Sequence, residues 1–200
     1  MTHSTGNLVN RKKFVEDQLN ESAATKKKMF DSCTADILKA VDVLIRAFND
    51  KKKVLICGNG GSAADAQHIA TEFVIRMTKA NRPPLPAIAL TTDSSMLTAG
   101  GNDIGFENVF ARQVEALGNS GDVLIAISTS GKSDNVNRAI NEAKKHGMTV
   151  IGFLGKDGGS SKNIVDIPII IPSNDTQRIQ EGHITTAHII CGIIENELFG

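Results

Sequence analysis

The feature that most limits what this chain can fold into is an alternation that begins at Lys53. Five short apolar runs, KVLICG, LPAIALT, DVLIAIS, TVIGFLG and DIPIIIP, are separated by stretches with helical spacing. The runs are continuously apolar rather than alternating, so both faces of each strand must be covered. That is the pattern of a parallel sheet with helices above and below it. Five such runs predict an α/β fold with a doubly wound, five-stranded parallel sheet. Helices are expected from the first run to about Lys79, over 105–116 and over 133–146. Residues 1–50 also read as helical, with Leu8, Phe14, Val15 and Leu19, then Ile37, Leu38, Val41, Leu44, Ile45 and Phe48, near helical spacing.

The last segment, from Asp175 to Phe199, carries Ile184, Ile189, Ile190, Ile193, Ile194, Leu198 and Phe199. Those positions exceed one face of a surface helix, so this helix is expected to be central in its domain or buried between subunits. Together with the helical N-terminus it predicts a homo-oligomer. The expected organisation is an N-terminal helical segment, 1–50, and an α/β domain, 51–200, folding as one structural unit.

Charge and composition exclude several functions. Lys plus Arg and Asp plus Glu are both 22, so no global field attracts nucleic acid or an anionic membrane. The chain has no Trp, no Tyr and eight Phe, which leaves little to stack on bases. Lys26, Lys27 and Lys28 read as a solvated helix face. Cys33, Cys57 and Cys191 show no C-x-x-C spacing and are expected to be free thiols in a reducing compartment. The N-terminus lacks the apolar core of a signal peptide, and no apolar run approaches a membrane span. A soluble cytoplasmic protein is expected.

Two strand ends are rich in Gly, Ser and Thr. Gly58-Asn59-Gly60-Gly61-Ser62 follows the first run, and Ser128-Thr129-Ser130-Gly131-Lys132-Ser133 follows the third. Glycines let backbone N–H groups approach an anion, and hydroxyls with a helix N-terminus complete the cradle. The first loop resembles a dinucleotide fingerprint, Gly58-x-Gly60-x-x-Ala63. The acidic residue that such a site needs about 20 positions on is missing, because that region reads Lys79-Ala80-Asn81. The second loop resembles a P-loop with Ala126 in place of its first Gly. No later strand ends in a magnesium-binding Asp, since the candidates end in Gly155 and Pro172. Ordinary strand-to-helix turns would explain one such loop but hardly two, and with neither fitting a nucleotide they point to a phosphate or sugar ligand.

GNGGSAADAQH, GND, STSGKS and RIQEGH, in that order, resemble the phosphoheptose isomerases, a family of the sugar-isomerase (SIS) fold group. The likeness runs from about residue 30 to the C-terminus, and residues 1–10 have no counterpart. The resemblance implies aldose–ketose isomerisation of sedoheptulose 7-phosphate to a D-glycero-heptose 7-phosphate, feeding activated heptose for lipopolysaccharide or capsule. It implies a homotetramer with interfacial active sites and one Zn2+ per subunit. The family's metal positions fall on His68, Glu72, Gln180 and His188, and its acid–base pair on Glu72 and His188. Its substrate positions fall on Asn59, Gly60, Gly61, Ser62, Glu72, Asn102, Asp103, Ser128, Thr129, Ser130, Ser133 and Gln180. Where some members carry Asp, three residues before that Gln, this chain has Gln177, and no catalytic role is assigned there.

Helical geometry bears unequally on these positions. His68 and Glu72 are i and i+4, on one helix face, so an imidazole and a carboxylate can converge on one ion. Gln180 and His188 are eight residues apart, about 12 Å along a helix and turned by about 80°. A regular helix presents both to one ion only if their side chains reach. His183 is expected behind the ligands or in solvent, and Arg76 at a sugar phosphate or capping its helix. The alternatives to a heptose isomerase are a non-catalytic SIS adaptor and an isomerase of another phosphosugar. The presence of both Glu72 and His188 favours an enzyme.

Overall fold

The computed structural model describes residues 5–200. Of the stretch without a family counterpart, residues 1–4 lie outside the described residues, as does the side chain of Leu8. Residues 7–49 contain neither Gly nor Pro, and they form one 45-residue helix, α1 (Thr5–Asn49), in place of several N-terminal helices. No residue in the stretch supplies a break. Only its second half is buried: Met29, Cys33, Ile37, Ala40, Val41, Leu44, Ala47 and Phe48 join the core, whereas Phe14, Val15 and Leu19 stay exposed.

The rest alternates as the apolar runs require. In chain order it is β1 (Val54–Gly58), α2 (Gly61–Val74), β2 (Ala87–Ala89), α3 (Ser94–Asp103), α4 (Val109–Leu117), β3 (Val123–Ser128), α5 (Asp134–Lys145), β4 (Thr149–Gly155), β5 (Ile167–Ile171) and α6 (Thr176–Phe199). All strand pairs are parallel, and the sheet order is β2-β1-β3-β4-β5.

Strand periodicity divides the core in two. Val54, Ile56, Val123, Ile125, Ile127, Ile151, Phe153, Ile169 and Ile171 face α1, α2 and α6. Leu55, Cys57, Leu124, Ala126 and Val150 face α4 and α5 on the other side. Each fully buried aliphatic or aromatic side chain here contributes about 1.5–3 kcal/mol. The doubly wound fold follows from this two-sided burial.

One boundary and one element differ from expectation. Helix α2 stops at Val74, five residues before Lys79, because the N–H groups of Met77, Thr78 and Lys79 bind the Glu195 carboxylate instead of helix carbonyls. Helix α3 was not anticipated. Asp93, two residues past an apolar run, is its N-cap and accepts from the Met96 N–H at 2.8 Å.

Candidate active site

The glycine loop after β1 and the serine loop after β3 lie side by side. The chain leaves β1 for β2 on one side, then crosses back to β3 on the other, so the strand order reverses between β1 and β3. Register places Gly58 beside Ile127, which brings both strand ends to one level. This is the crevice in which open α/β sheets bind ligands.

An amide pair joins the loops: Asn59 Nδ2 donates to Asn135 Oδ1 and Asn135 Nδ2 to Asn59 Oδ1, both at 2.8 Å. Within the serine loop, Ser128 Oγ lies 3.1 Å from Ser133 Oγ and accepts from the Gly131 N–H at 3.1 Å. The Lys132 N–H donates to Ser130 Oγ at 3.2 Å. Gly60 (φ 56°) and Gly131 (φ 62°) hold the two turns in left-handed backbone. A third loop, after β4, closes on the second: Ser161 donates to the Gly131 carbonyl from both N–H and Oγ, each at 2.9 Å. Helices α2 and α5 begin here with no side-chain cap bond, so the positive ends of their dipoles face the crevice.

Two turns along α2, His68 and Glu72 meet His188 of α6. His68 Nε2 is 3.0 Å from Glu72 Oε1 and 3.3 Å from His188 Nε2, with the two rings edge to face at 64°. These are also the three residues whose donor atoms lie within 4.8 Å of one another. Zinc–nitrogen bonds of about 2.0–2.1 Å in a tetrahedron set two ligand nitrogens about 3.3–3.4 Å apart. The observed spacing, with two imidazoles and one carboxylate oxygen, fits such an ion. One turn before His68, burial pushes the Asp65 carboxyl up, opposed by His68, and its Oδ2 is buried without a partner. Burial drives the thiols of Cys57 and Cys191 up to about 12, so both favour the neutral thiol.

Comparison with known proteins joins this geometry to a family. The SIS domain family model matches residues 18–155. The phosphoheptose isomerase of Clostridium acetobutylicum is 53% identical over 191 residues, 94% of this chain and 97% of that protein. That of Trichlorobacter lovleyi is 56% identical over 187 residues, 94% and 95% of the two chains. The solved phosphoheptose isomerase of Neisseria gonorrhoeae superposes with a TM-score of 0.87 at 41% identity, covering 92% of this chain and 98% of that one. This chain belongs to the phosphoheptose isomerase family.

The structure does not bring all of the family's positions together. Asn59, Gly60, Gly61, Ser62, Ser128, Thr129, Ser130 and Ser133 line the two adjoining loops, and Ser62 and Ser128 are buried. Gln180 sits at the head of α2: a Cβ on Gly61 would meet its Nε2 at 2.6 Å. Gly61 precedes His68 by seven residues, about 10 Å of helix, so the Gln180 amide lies at the loop end of the crevice. Asn102 and Asp103 close the exposed end of α3 and bond to each other at 2.7 Å. Among the described residues neither hydrogen-bonds to the two loops. Arg76 is exposed beyond the end of α2.

His183 is not in solvent. It is buried on α6, with Nε2 2.9 Å from the Leu154 carbonyl, and burial lowers its pKa to about 4 despite that bond. A phosphoheptose isomerase site in this chain also rests on residues that motif reading passed over. Asn135, in the first turn after the serine loop, was marked only by being a cap-type residue. Glu195 was marked only by being a charge in an apolar helix, where full burial demands partners.

Proposed function

We propose that this chain isomerises sedoheptulose 7-phosphate to D-glycero-heptose 7-phosphate through an enediol, with one zinc ion per subunit, supplying activated heptose for lipopolysaccharide or capsule. The observation that carries this reading is the His68–Glu72–His188 cluster, set two turns along the helix that the glycine loop opens. A phosphate and a carbonyl at opposite ends of a flexible sugar need two anchoring points, and the crevice offers both.

The loop hydroxyls of Ser128, Ser130 and Ser133, with the starts of α2 and α5, hold the phosphate. Asn59 and Gln180, at the loop end, bind sugar hydroxyls. His68, Glu72 and His188 would hold the zinc, with Gln180 completing the set if its side chain swings from Gly61 toward them. Zinc supplies Lewis acidity at the substrate carbonyl. Glu72 takes the proton from the carbon beside the carbonyl, and His188 serves as the acid–base partner that moves protons at the adjoining oxygens. A carboxylate shared with a cation is a weaker base. Glu72 engages His68 through Oε1 alone, which leaves Oε2 for the proton.

A homotetramer with interfacial sites suits the surface. An apolar groove between α1 and α6 is lined by Met29, Phe30, Ile37, Leu38, Ile189 and Ile193, and Phe30 is 74% exposed. The exposed Asn102 and Asp103 would then reach a site completed by a neighbouring subunit. Residues 1–50 and 51–200 are read as one structural unit, since the second half of α1 shares the core of the sheet. We assign the chain to the cytoplasm; no helix among the described residues is long and apolar enough to cross a membrane.

The test is an NMR time course with sedoheptulose 7-phosphate, run on the protein as prepared, after chelation, and after zinc is restored. An aldoheptose phosphate is expected to appear, stop with chelation and return with zinc. Product formed undiminished in chelator removes the metal, and no product under any condition removes the reaction.

A further inference from the structure

The helices that carry the triad are fastened together a second time, beyond Glu72. Glu195 follows His188 by seven residues, two turns on, and so shares its face of α6. Its carboxylate accepts from the N–H groups of Met77 (3.0 Å), Thr78 (2.8 Å) and Lys79 (2.9 Å) and from Thr78 Oγ1 (2.6 Å). Arg82 Nε donates to it at 2.7 Å, and both side chains are almost wholly buried, 3% and 2% exposed. Burial alone would raise the Glu195 carboxyl, but the bonds from Thr78, Arg82 and Lys79 outweigh it and hold the group well below the usual carboxylate range.

The same guanidinium reaches the triad helix. Arg82 Nη2 donates to the main-chain carbonyl of Glu72 at 2.5 Å, and Nη1 to that of Pro83 at 2.8 Å. In a continuing helix the Glu72 carbonyl would accept from residue 76, but α2 ends at Val74. Arg82 supplies the missing donor and ties it to α6. A buried ion pair adds little stability that well-packed apolar side chains would not. What apolar side chains cannot do is aim a fork of donors at Glu72 and Glu195 together.

We propose that Arg82 and Glu195 are positioning residues that set the separation of α2 and α6, and with it the geometry of His68 and Glu72 against His188. The inference rests on the zinc isomerase reading above. Neither residue touches substrate or ion. They act through the Glu72 main chain and through the face of α6 shared with His188.

The test compares Arg82→Lys, Glu195→Gln and Thr78→Val with the wild-type full chain. Zinc affinity is measured by chelator competition on stripped protein, alongside kcat, KM and thermal melting. Lysine reaches Glu195 but cannot bridge to Glu72. Arg82→Lys and Glu195→Gln are each expected to weaken zinc binding and lower kcat by about 10-fold, as loss of a ligand's supporting contact does, with KM little changed. Thr78→Val removes a bond to the same carboxylate without touching the Glu72 link. It is expected to lower the melting temperature and leave zinc affinity unchanged.

Wild-type zinc affinity and kcat in Arg82→Lys would reduce the clamp to a structural brace. Equal weakening of zinc in Thr78→Val would trace the effect to general destabilisation and overturn the proposal. If Glu195→Gln does not fold, Arg82→Lys carries the comparison alone. A wild-type protein that neither binds zinc nor isomerises the substrate overturns the underlying reading, a result distinct from an active wild type with unaltered variants.

Discussion

The two ends of the crevice are built by different means. At the loop end, the glycine and serine loops take most of their shape from their own residues: left-handed glycines, hydroxyls bonded to N–H groups two or three residues away, and helices that begin at once. At the triad end, His68 and Glu72 on α2 meet a histidine 120 residues later in the chain. That meeting depends on how α2 and α6 pack, on Gln180 against Gly61 at one end and on Arg82 with Glu195 at the other. Loops written locally tolerate change elsewhere, whereas a site shared by two helices responds to anything that moves either one.

The largest effect that separates the two ends is expected from Glu72→Gln. It leaves the loops intact, so sugar-phosphate binding by calorimetry should persist while kcat falls by about 100- to 10,000-fold. Retained turnover would remove Glu72 as the base.

Acid should act on the triad end through α6. His183 ionises near 6.5 when unfolded and near 4 when folded. Between those values the unfolded chain binds the extra proton, so stability is fully present above about pH 6.5 and is lost as pH falls toward 4. The loss is on the order of 3 kcal/mol. Melting temperatures of wild type and His183→Phe across this range should show a steeper acid loss in wild type. Parallel curves would mean that His183 is not the group responsible.

The smallest of these effects falls on the loop end. Asn135→Ala strands the Asn59 amide and is expected to lower stability by about 1–3 kcal/mol and to raise KM, with zinc content unchanged. A loss of zinc in that variant would mean that the two ends are coupled, and the contrast between them would fail.

The sheet was legible because its evidence is local and repeated. Each of the five apolar runs is apolar on both faces, and only a two-sided parallel sheet satisfies that many at once. Both glycine- and serine-rich loops were legible for the same reason, and so was the His68–Glu72 pair, whose spacing is a property of one helix. Helix α3 was harder to see, since its signal was a single capping residue, Asp93, just past an apolar run. The early end of α2 could not be seen at all, because it is set by a carboxylate more than 110 residues away.

The amino-acid sequence by itself determined the layered α/β fold, the positions of the two loops and the family. Those rest on periodicity, on glycine's backbone freedom and on motif order, which are carried by neighbouring residues. Tertiary structure alone decided that β1 and β3 lie side by side, that Asn135 joins their loops, that His188 completes a cluster with His68 and Glu72, and that Gln180 rests at Gly61. It also decided that Glu195, a charge in an apolar helix, finds four donors from Met77, Thr78 and Lys79 and a fifth from the Arg82 guanidinium. These are contacts between distant parts of the chain, and only packing brings such parts within the few ångströms over which hydrogen bonds and metal ligation act.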